Sequence, residues 1–166
     1  STTWSQEQVE ALLAKLAPST DYDSWLRVGM ALKNWDVIEG LALWDKWSQG
    51  CTEKYKQGEC AYKWKGFEVN GGVTLGSLVH MAQEVDYYQE AQLVQTYLEK
   101  IKLATDQKTL EFDLAREIRK TNINDINRDK LAEAFKIRIK ELTGAKISID
   151  TIRKMFIEII SLISLP

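Results

Sequence analysis

The sequence predicts an all-α protein, arranged as two small packed helical bundles with about eight helices in total. Apolar residues recur every three or four positions along most of the chain, which is the repeat of one face of an α-helix. Capping residues precede many of these segments, and glycine or proline follows several of them. Residues 51–73 have no sustained helical period, and we predict a long loop rich in aromatic residues and lysines there.

The first two helices are marked by their capping residues. Ser5 and Gln8 form a capping-box pair, and Pro18 stops the helix that follows them. Asp21 and Asp23 are candidate caps of the second helix. The inward face of that helix is formed by residues at helical spacing, which are Trp25, Val28, Gly29 and Leu32.

A third helix, the loop and a fourth helix complete the first half. Asp36 opens the third helix, and Gly50 fits its C-terminal end. Asn70–Gly72 is a strong breaker near the end of the loop, and a short turn or strand fits around Tyr62–Phe67. Thr74 caps the fourth helix.

The second half carries further amphipathic segments. We predict two domains, 1–88 and 89–166, with the boundary near Val85–Tyr88. Gly144 ends the penultimate helix and Asp150 caps the last one. That last helix contains Ile152, Met155, Phe156, Ile159, Ile160 and Ile163, and its stretch MFIEIISLISL is apolar nearly all round.

Composition bounds the function. The chain has no apolar run long enough to span a membrane and no signal-peptide pattern, so we expect a cytoplasmic protein with no membrane partner. It begins with Ser1, which suggests a piece of a longer protein. The net charge of −2 argues against strong nonspecific binding of nucleic acid. The charge is unevenly distributed along the chain. Residues 1–90 carry 8 Lys and Arg against 13 Asp and Glu, whereas residues 91–166 carry 14 Lys and Arg against 11 Asp and Glu.

The sequence offers little support for catalysis or a cofactor. Cys51, Cys60 and His80 are three soft ligands at irregular spacing, whereas a structural zinc site needs four, so we predict no metal. Asp21 and Asp23 have the spacing of a two-metal carboxylate pair, but capping explains them. No phosphate-binding loop of the nucleotide hydrolases is present. We therefore expect that the chain is not itself an enzyme and uses no cofactor.

Residues 25–67 hold five of the six tryptophans, interleaved with lysines. In one interpretation, this block is a binding surface on which bases stack while cations hold phosphates. In the other, Trp64 and Phe67 are a buried anchor, Trp25, Trp44 and Trp47 pack in the core, and the cations are solvated. An extended segment would place Lys63 and Lys65 on one face. The candidate contacts to nucleic acid or nucleotide are Arg27, Lys33, Lys54, Tyr55, Lys56, Tyr62, Lys63, Trp64 and Lys65.

The same block resembles a known family. The resemblance covers about residues 20–85 and rests on Trp25–Leu32, Leu41–Ser48, Tyr55, Cys60, Lys63–Phe67 and Gly72–Leu78. These stretches are similar to the primase C-terminal family 2 domain, a helical module of replication proteins from plasmids, phages and mobile genetic elements. The resemblance implies a noncatalytic accessory domain of a primase-polymerase, which engages single-stranded DNA template, the initiating nucleoside triphosphate, or both.

Two other functions stay open. The chain could be a structural or protein-interaction module that links the catalytic primase domain to a helicase domain, with the apolar end at Ile163–Leu165 as its surface. Alternatively, the second half could be a sequence-specific DNA binder. There, a helix-turn-helix can be read around the turn at Leu142–Lys146, with Thr151–Lys154 leading the recognition helix. Lys136 and Lys140 share a helix face nearby.

Overall fold

The computed structural model of the chain describes residues 3–157. Within this range it contains eight α-helices, which are α1 (Gln6–Ala14), α2 (Tyr22–Trp35), α3 (Glu39–Ser48), α4 (Glu59–Trp64), α5 (Leu75–Leu103), α6 (Ala115–Arg119), α7 (Asp125–Thr143) and α8 (Ile149–Met155). A π-helical segment, Thr109–Leu114, directly precedes α6. The described residues contain no strand, and the all-α prediction is confirmed.

Side-chain caps fix most helix starts. Ser5 and Gln8 form the predicted capping box at α1, and the Asp21 carboxylate accepts a hydrogen bond from the backbone N–H of Ser24 at the start of α2. This hydrogen bond holds the pKa of Asp21 below its usual value. The predicted cap of the last helix is wrong by two positions, because Ser148 caps α8 and Asp150 lies in its first turn.

The described residues divide into two compact units, unit 1 up to Tyr87 and unit 2 from Tyr88 onward. Helix α5 runs through this division from Leu75 to Leu103. The prediction of two domains, 1–88 and 89–166, states that each part folds independently, and it stays a prediction.

The core of unit 1 is built around Trp44, which is fully buried. Its ring lies 4.5 Å from that of Trp25, 5.9 Å from that of Trp64 and 5.4 Å from that of Phe67, measured between centroids. Gly29 makes this packing possible, since a Cβ at that position would come within 2.7 Å of the Trp44 and Phe67 rings. Burial of these large rings supplies much of the apolar area that stabilises a small domain.

The core of unit 2 lies between α5, the π-helical segment, α6, α7 and α8. Phe135 on α7 and Phe156 at the end of α8 pack edge to face at 4.9 Å. Gly144 ends α7 as predicted, with a φ of 75° that favours glycine. Residues Ile159, Ile160 and Ile163, predicted for the last helix, lie outside the described range. None of the described helices combines the length and apolar character needed to cross a lipid bilayer.

The predicted loop over 51–73 is partly wrong. Helix α4 occupies Glu59–Trp64, and no strand forms around Tyr62–Phe67. The helix begins after Gly58, whose φ of 86° is a left-handed conformation. Cys60 and Trp64, four residues apart, are buried on one face of α4, so tertiary packing stabilises a helix too short to form alone.

Candidate functional site

A pocket of about 220 Å³ opens on unit 1 beside the N-terminal turn of α2. Its walls come from the segment before α2, the end of α3, the connection from α3 to α4, and the first turn of α4. It brings together aromatic rings and ammonium groups that lie far apart in sequence. The lining residues are Pro18, Thr20, Tyr22, Trp25, Ser48, Cys51, Lys54, Tyr55, Lys56, Glu59 and Cys60.

One wall of the pocket is formed by Tyr22 and Trp25, the first two of three aromatic rings that pack in series. Tyr22, 53% exposed, lies with its ring centre 5.7 Å from that of Trp25. Trp25 in turn packs on the buried ring of Trp44. The indole Nε1 of Trp25 donates a hydrogen bond to the Ser48 hydroxyl at 2.8 Å. The Trp25 ring is therefore held in place from behind and from its edge, and the Tyr22 ring stands exposed in front of it.

Lysines surround this wall. Lys54 and Lys56 line the pocket, and the Lys54 ammonium makes only long contacts, 3.4 and 3.5 Å, to the carbonyl oxygens of Thr20 and Ser19. Lys63 lies with its Nζ 5.7 Å from the Tyr22 ring centre and 5.9 Å from the Tyr62 ring centre. The neighbouring Tyr22 hydroxyl raises the pKa of Lys63, so this ammonium group stays charged at neutral pH.

Acidic groups also reach the pocket. The Tyr55 hydroxyl donates a 2.9 Å hydrogen bond to Asp45, and this bond raises the pKa of Tyr55. The phenol is thus held protonated and its ring is fixed on the pocket wall. Glu59 is the one carboxylate among the lining residues, against the two lysines Lys54 and Lys56. The lining carries a net positive charge, to which the nearby Lys63 adds.

The structure therefore assembles five of the predicted contacts in one place. Lys54, Tyr55 and Lys56 line the pocket directly, while Lys63 lies against Tyr22, a lining residue, and Tyr62 lies beside Lys63.

The remaining predicted contacts lie elsewhere or have other roles. Trp64 is only 5% exposed and packs against Trp44, so it offers no free face for stacking, and that assignment is withdrawn. The Lys33 ammonium donates to the carbonyl oxygens of Trp64 and Phe67 at 2.6 and 2.7 Å, which ties α2 to the end of α4. Arg27 and Lys65 are exposed but do not line the pocket.

The expected pairing of Lys63 with Lys65 on one face is wrong. It assumed an extended backbone, in which alternate side chains share a face. Lys63 lies in α4 and Lys65 is its C-cap residue, and residues two apart on a helix do not face the same way.

Sequence reasoning missed Tyr22 as a site residue and assigned Trp25 only to the core. The signal was available in part, because residues three apart on a helix are neighbours and Tyr22 precedes Trp25 by three. What the sequence does not contain is the approach of residues 54–56 to that helix end, which depends on tertiary packing.

The helix-turn-helix interpretation of unit 2 is not supported by Arg153, the arginine on its proposed recognition helix. Arg153 is held by the Asp129 carboxylate at 3.0 and 3.2 Å and by Asp150 at 2.9 Å. These hydrogen bonds raise the pKa of Arg153 and leave its guanidinium occupied by two carboxylates. Reading a base edge would require breaking both contacts, so Arg153 is a poor recognition residue.

The three soft ligands do not assemble. Among residues 3–157, no group of three or more His, Cys, Asp or Glu side chains is placed to hold a metal ion. His80 lies 3.3 Å from Glu84, one turn further along α5. Cys51 and Cys60 are both free thiols, and burial raises the pKa of the Cys60 thiol to about 11.

Comparison with known proteins finds one similarity, in the first half of the chain. Searches of curated proteins and of solved structures gave no match. Residues 9–82 match the model of the family described as Primase C terminal 2 (PriCT-2), which confirms the resemblance predicted over about residues 20–85. This region contains most of α1, all of α2 to α4, the start of α5 and all the residues that line the pocket. Residues 9–82 are thus similar to the Primase C terminal 2 family, and this match implies a primase-associated accessory domain.

Proposed function

We propose that unit 1 binds a nucleotide, either the initiating nucleoside triphosphate or a unit of single-stranded DNA template, in the pocket beside α2. In this role it supports primer synthesis by a primase-polymerase without making or breaking bonds itself. The observation that carries the proposal is the convergence of an exposed tyrosine ring and three ammonium groups on one pocket in a primase-associated domain.

The base would stack on Tyr22. Its ring is half exposed, and it is backed by Trp25 and Trp44 in turn. A ring supported in this way is already ordered before binding, so stacking costs little additional side-chain entropy. Stacking on an aromatic side chain is tolerant of sequence because every base has a π-face.

The phosphates would be held by Lys54, Lys56 and Lys63. The Lys56 ammonium forms no hydrogen bond or ion pair within residues 3–157, and the Lys54 ammonium has only the long carbonyl contacts described above. Neither lysine must break a strong interaction to reach a phosphate. Glu59 at the same pocket offsets part of their charge, which favours modest affinity and agrees with the acidic balance of residues 1–90.

The stacking contact is tested by changing Tyr22. Tyr22→Leu should weaken binding of a short single strand by about 1–3 kcal/mol, the usual contribution of one stacked base. Tyr22→Phe keeps the ring and should retain most of the wild-type affinity. The measurement is fluorescence anisotropy of labelled oligothymidylate, with and without nucleoside triphosphate. Equal binding by the Leu and Phe variants would contradict the stacking role.

The phosphate contacts are tested by salt dependence. The double variant Lys56→Gln and Lys63→Gln should lower the slope of log K against log salt by about 1.4, since each contact to a single strand contributes roughly 0.7. The double variant Lys46→Gln and Lys65→Gln makes the same change in net charge at exposed lysines that do not line the pocket. The proposal fails if both variants change the slope equally.

A second candidate function is a protein-interaction module between primase and helicase domains. It is favoured by Val37 and Ile38, which are 49% and 80% exposed at the start of α3. Ile38 also lines an open groove along α3 with Leu41 and Ala42. In this case, Ile38→Ser should weaken association with a flanking domain and leave nucleotide binding unchanged. The surface first predicted for this role, Ile163–Leu165, lies outside the described residues.

A further inference from the structure

Three lysines of unit 2 line one open depression of about 450 Å³. Lys136 and Lys140 come from α7, and Lys146 comes from the connection to α8. Ile147 and Ser148 complete the lining. No carboxylate and no aromatic ring belongs to it. The depression therefore combines three positively charged side chains with one apolar side chain, that of Ile147.

The fold itself brings these charges together. Lys136 and Lys140 are four residues apart and share a face of α7, where like charges repel each other and destabilise the helix. The left-handed turn at Gly144 ends the helix and returns the chain, which places Lys146 beside them. The repulsion among the three ammonium groups is relieved when an anion binds between them.

These lysines have no partner in the described part of the chain. None of their ammonium groups forms a hydrogen bond or an ion pair within residues 3–157, although carboxylates such as Glu141 are close in sequence. Several arginines of the unit behave differently. Arg138 donates to the Ala104 carbonyl at 2.7 and 3.0 Å and to Glu141 at 3.0 Å, and Arg119 donates to the Met155 carbonyl at 2.8 Å. The unit uses arginines to hold its helices together and leaves this group of lysines available.

We propose that Lys136, Lys140 and Lys146 form a second nucleic-acid contact, which binds the phosphate backbone of a single strand without reading its bases. This site lies in a different unit from the pocket beside α2 and goes beyond the function proposed for that pocket. Lysine ammonium groups contact phosphates as point charges, and a depression without an aromatic ring provides no stacking surface. The contact is therefore independent of sequence and sensitive to salt.

The test is a salt series with labelled oligothymidylate and the full chain. The triple variant Lys136→Gln, Lys140→Gln and Lys146→Gln should reduce the slope of log K against log salt by about 2, since three single-strand contacts contribute roughly 0.7 each. The control triple variant changes three exposed lysines of the same unit that do not line the depression, Lys102, Lys120 and Lys130. It should keep the wild-type slope. Thermal unfolding followed by circular dichroism verifies that both variants are folded.

Several outcomes would overturn the proposal. These are an equal slope change in both triple variants, no binding of the strand by the wild-type chain, or equal competition by polyglutamate, which would indicate a general polyanion surface. Equal affinity for strands of different base composition supports it. The two sites are separable, because Lys56→Gln with Lys63→Gln tests only the pocket of unit 1. A loss confined to the unit 2 variant would support this inference and count against the first proposal.

Discussion

The indole Nε1 of Trp25 donates a 2.8 Å hydrogen bond to the hydroxyl of Ser48, and both residues line the unit 1 pocket. Ser48 is only 5% exposed, and its hydroxyl also lies 3.5 Å from the Cys60 sulfur. One small polar group thus connects α2, the end of α3 and α4. The wall on which we propose that a base stacks depends on this contact.

Removing that hydroxyl should destabilise unit 1. Ser48→Ala leaves the Trp25 N–H without its acceptor in a partly buried setting, at a cost of about 1–3 kcal/mol. The free energy of unfolding from urea titration measures this. Ser19→Ala, at an exposed residue whose side chain forms no hydrogen bond within the described range, should have little effect. Equal stability of the two variants would show that the hydrogen bond contributes nothing.

Lys33 should act on stability and not on binding. Lys33→Met removes charge-assisted hydrogen bonds to the carbonyl oxygens of Trp64 and Phe67. Hydrogen bonds to a charged group contribute about 1.5–3 kcal/mol, and a loss of that order is expected in urea unfolding. Affinity for oligothymidylate, measured where the variant is fully folded, should stay close to wild type. A loss of affinity without a loss of stability would show that Lys33 belongs to the binding surface.

Gly29 should tolerate no side chain. A Cβ there would meet rings of Trp44 and Phe67 at 2.7 Å, and overpacking a well-filled core costs about 1–3 kcal/mol. Gly66→Ala is the matched control, because its Cβ would meet only the Lys63 carbonyl oxygen, at the ordinary distance of 3.6 Å. Thermal unfolding should separate the two variants clearly, and similar melting temperatures would contradict the packing.

The two thiols should differ in reactivity. Cys60 is 1% exposed, and burial raises its pKa to about 11, so it is a protonated and shielded thiol at neutral pH. Iodoacetamide should modify Cys51 in the folded chain and Cys60 only after unfolding. Peptide mass spectrometry distinguishes the two sites. Rapid modification of Cys60 under native conditions would show that this part of the core opens easily.

The same thiol makes stability depend on alkaline pH. Its folded-state pKa lies above the ordinary value of 9.0, so the unfolded state loses its proton first. The stability that the thiol contributes is present below about pH 9 and is lost as the pH rises from there towards 11. Cys60→Ala should remove this component from the pH profile of the urea midpoint. An unchanged alkaline profile would contradict the raised pKa.

The helical fold was predictable because its signals are local. Ser5 with Gln8, and Gly144 at the end of α7, act within a few residues of the helix ends that they define. Helix α4 was not predictable in this way. Six residues that include Trp64 form a helix because Cys60 and Trp64 have a core to pack against, and that core comes from distant segments.

The site was partly predictable for the same reason. The interleaving of aromatic residues and lysines made Lys54, Lys56 and Lys63 candidate contacts, but it could not separate them from Lys33, whose partners are carbonyl oxygens more than thirty positions away in sequence. Nor could it place Tyr22 beside Lys63. Composition indicates which groups are available for binding, whereas long-range packing decides which of them are already occupied.

The rings of Tyr22, Trp25 and Trp44 pack in series. This arrangement gives the chain an intrinsic fluorescent probe of the pocket. Indole emission shifts with the polarity around the ring, and Trp25 forms part of the pocket wall while Trp44 is enclosed behind it. A ligand that displaces solvent from Tyr22 should change the surroundings of Trp25 before those of Trp44. Binding to the pocket can then be followed by tryptophan fluorescence, without an attached dye.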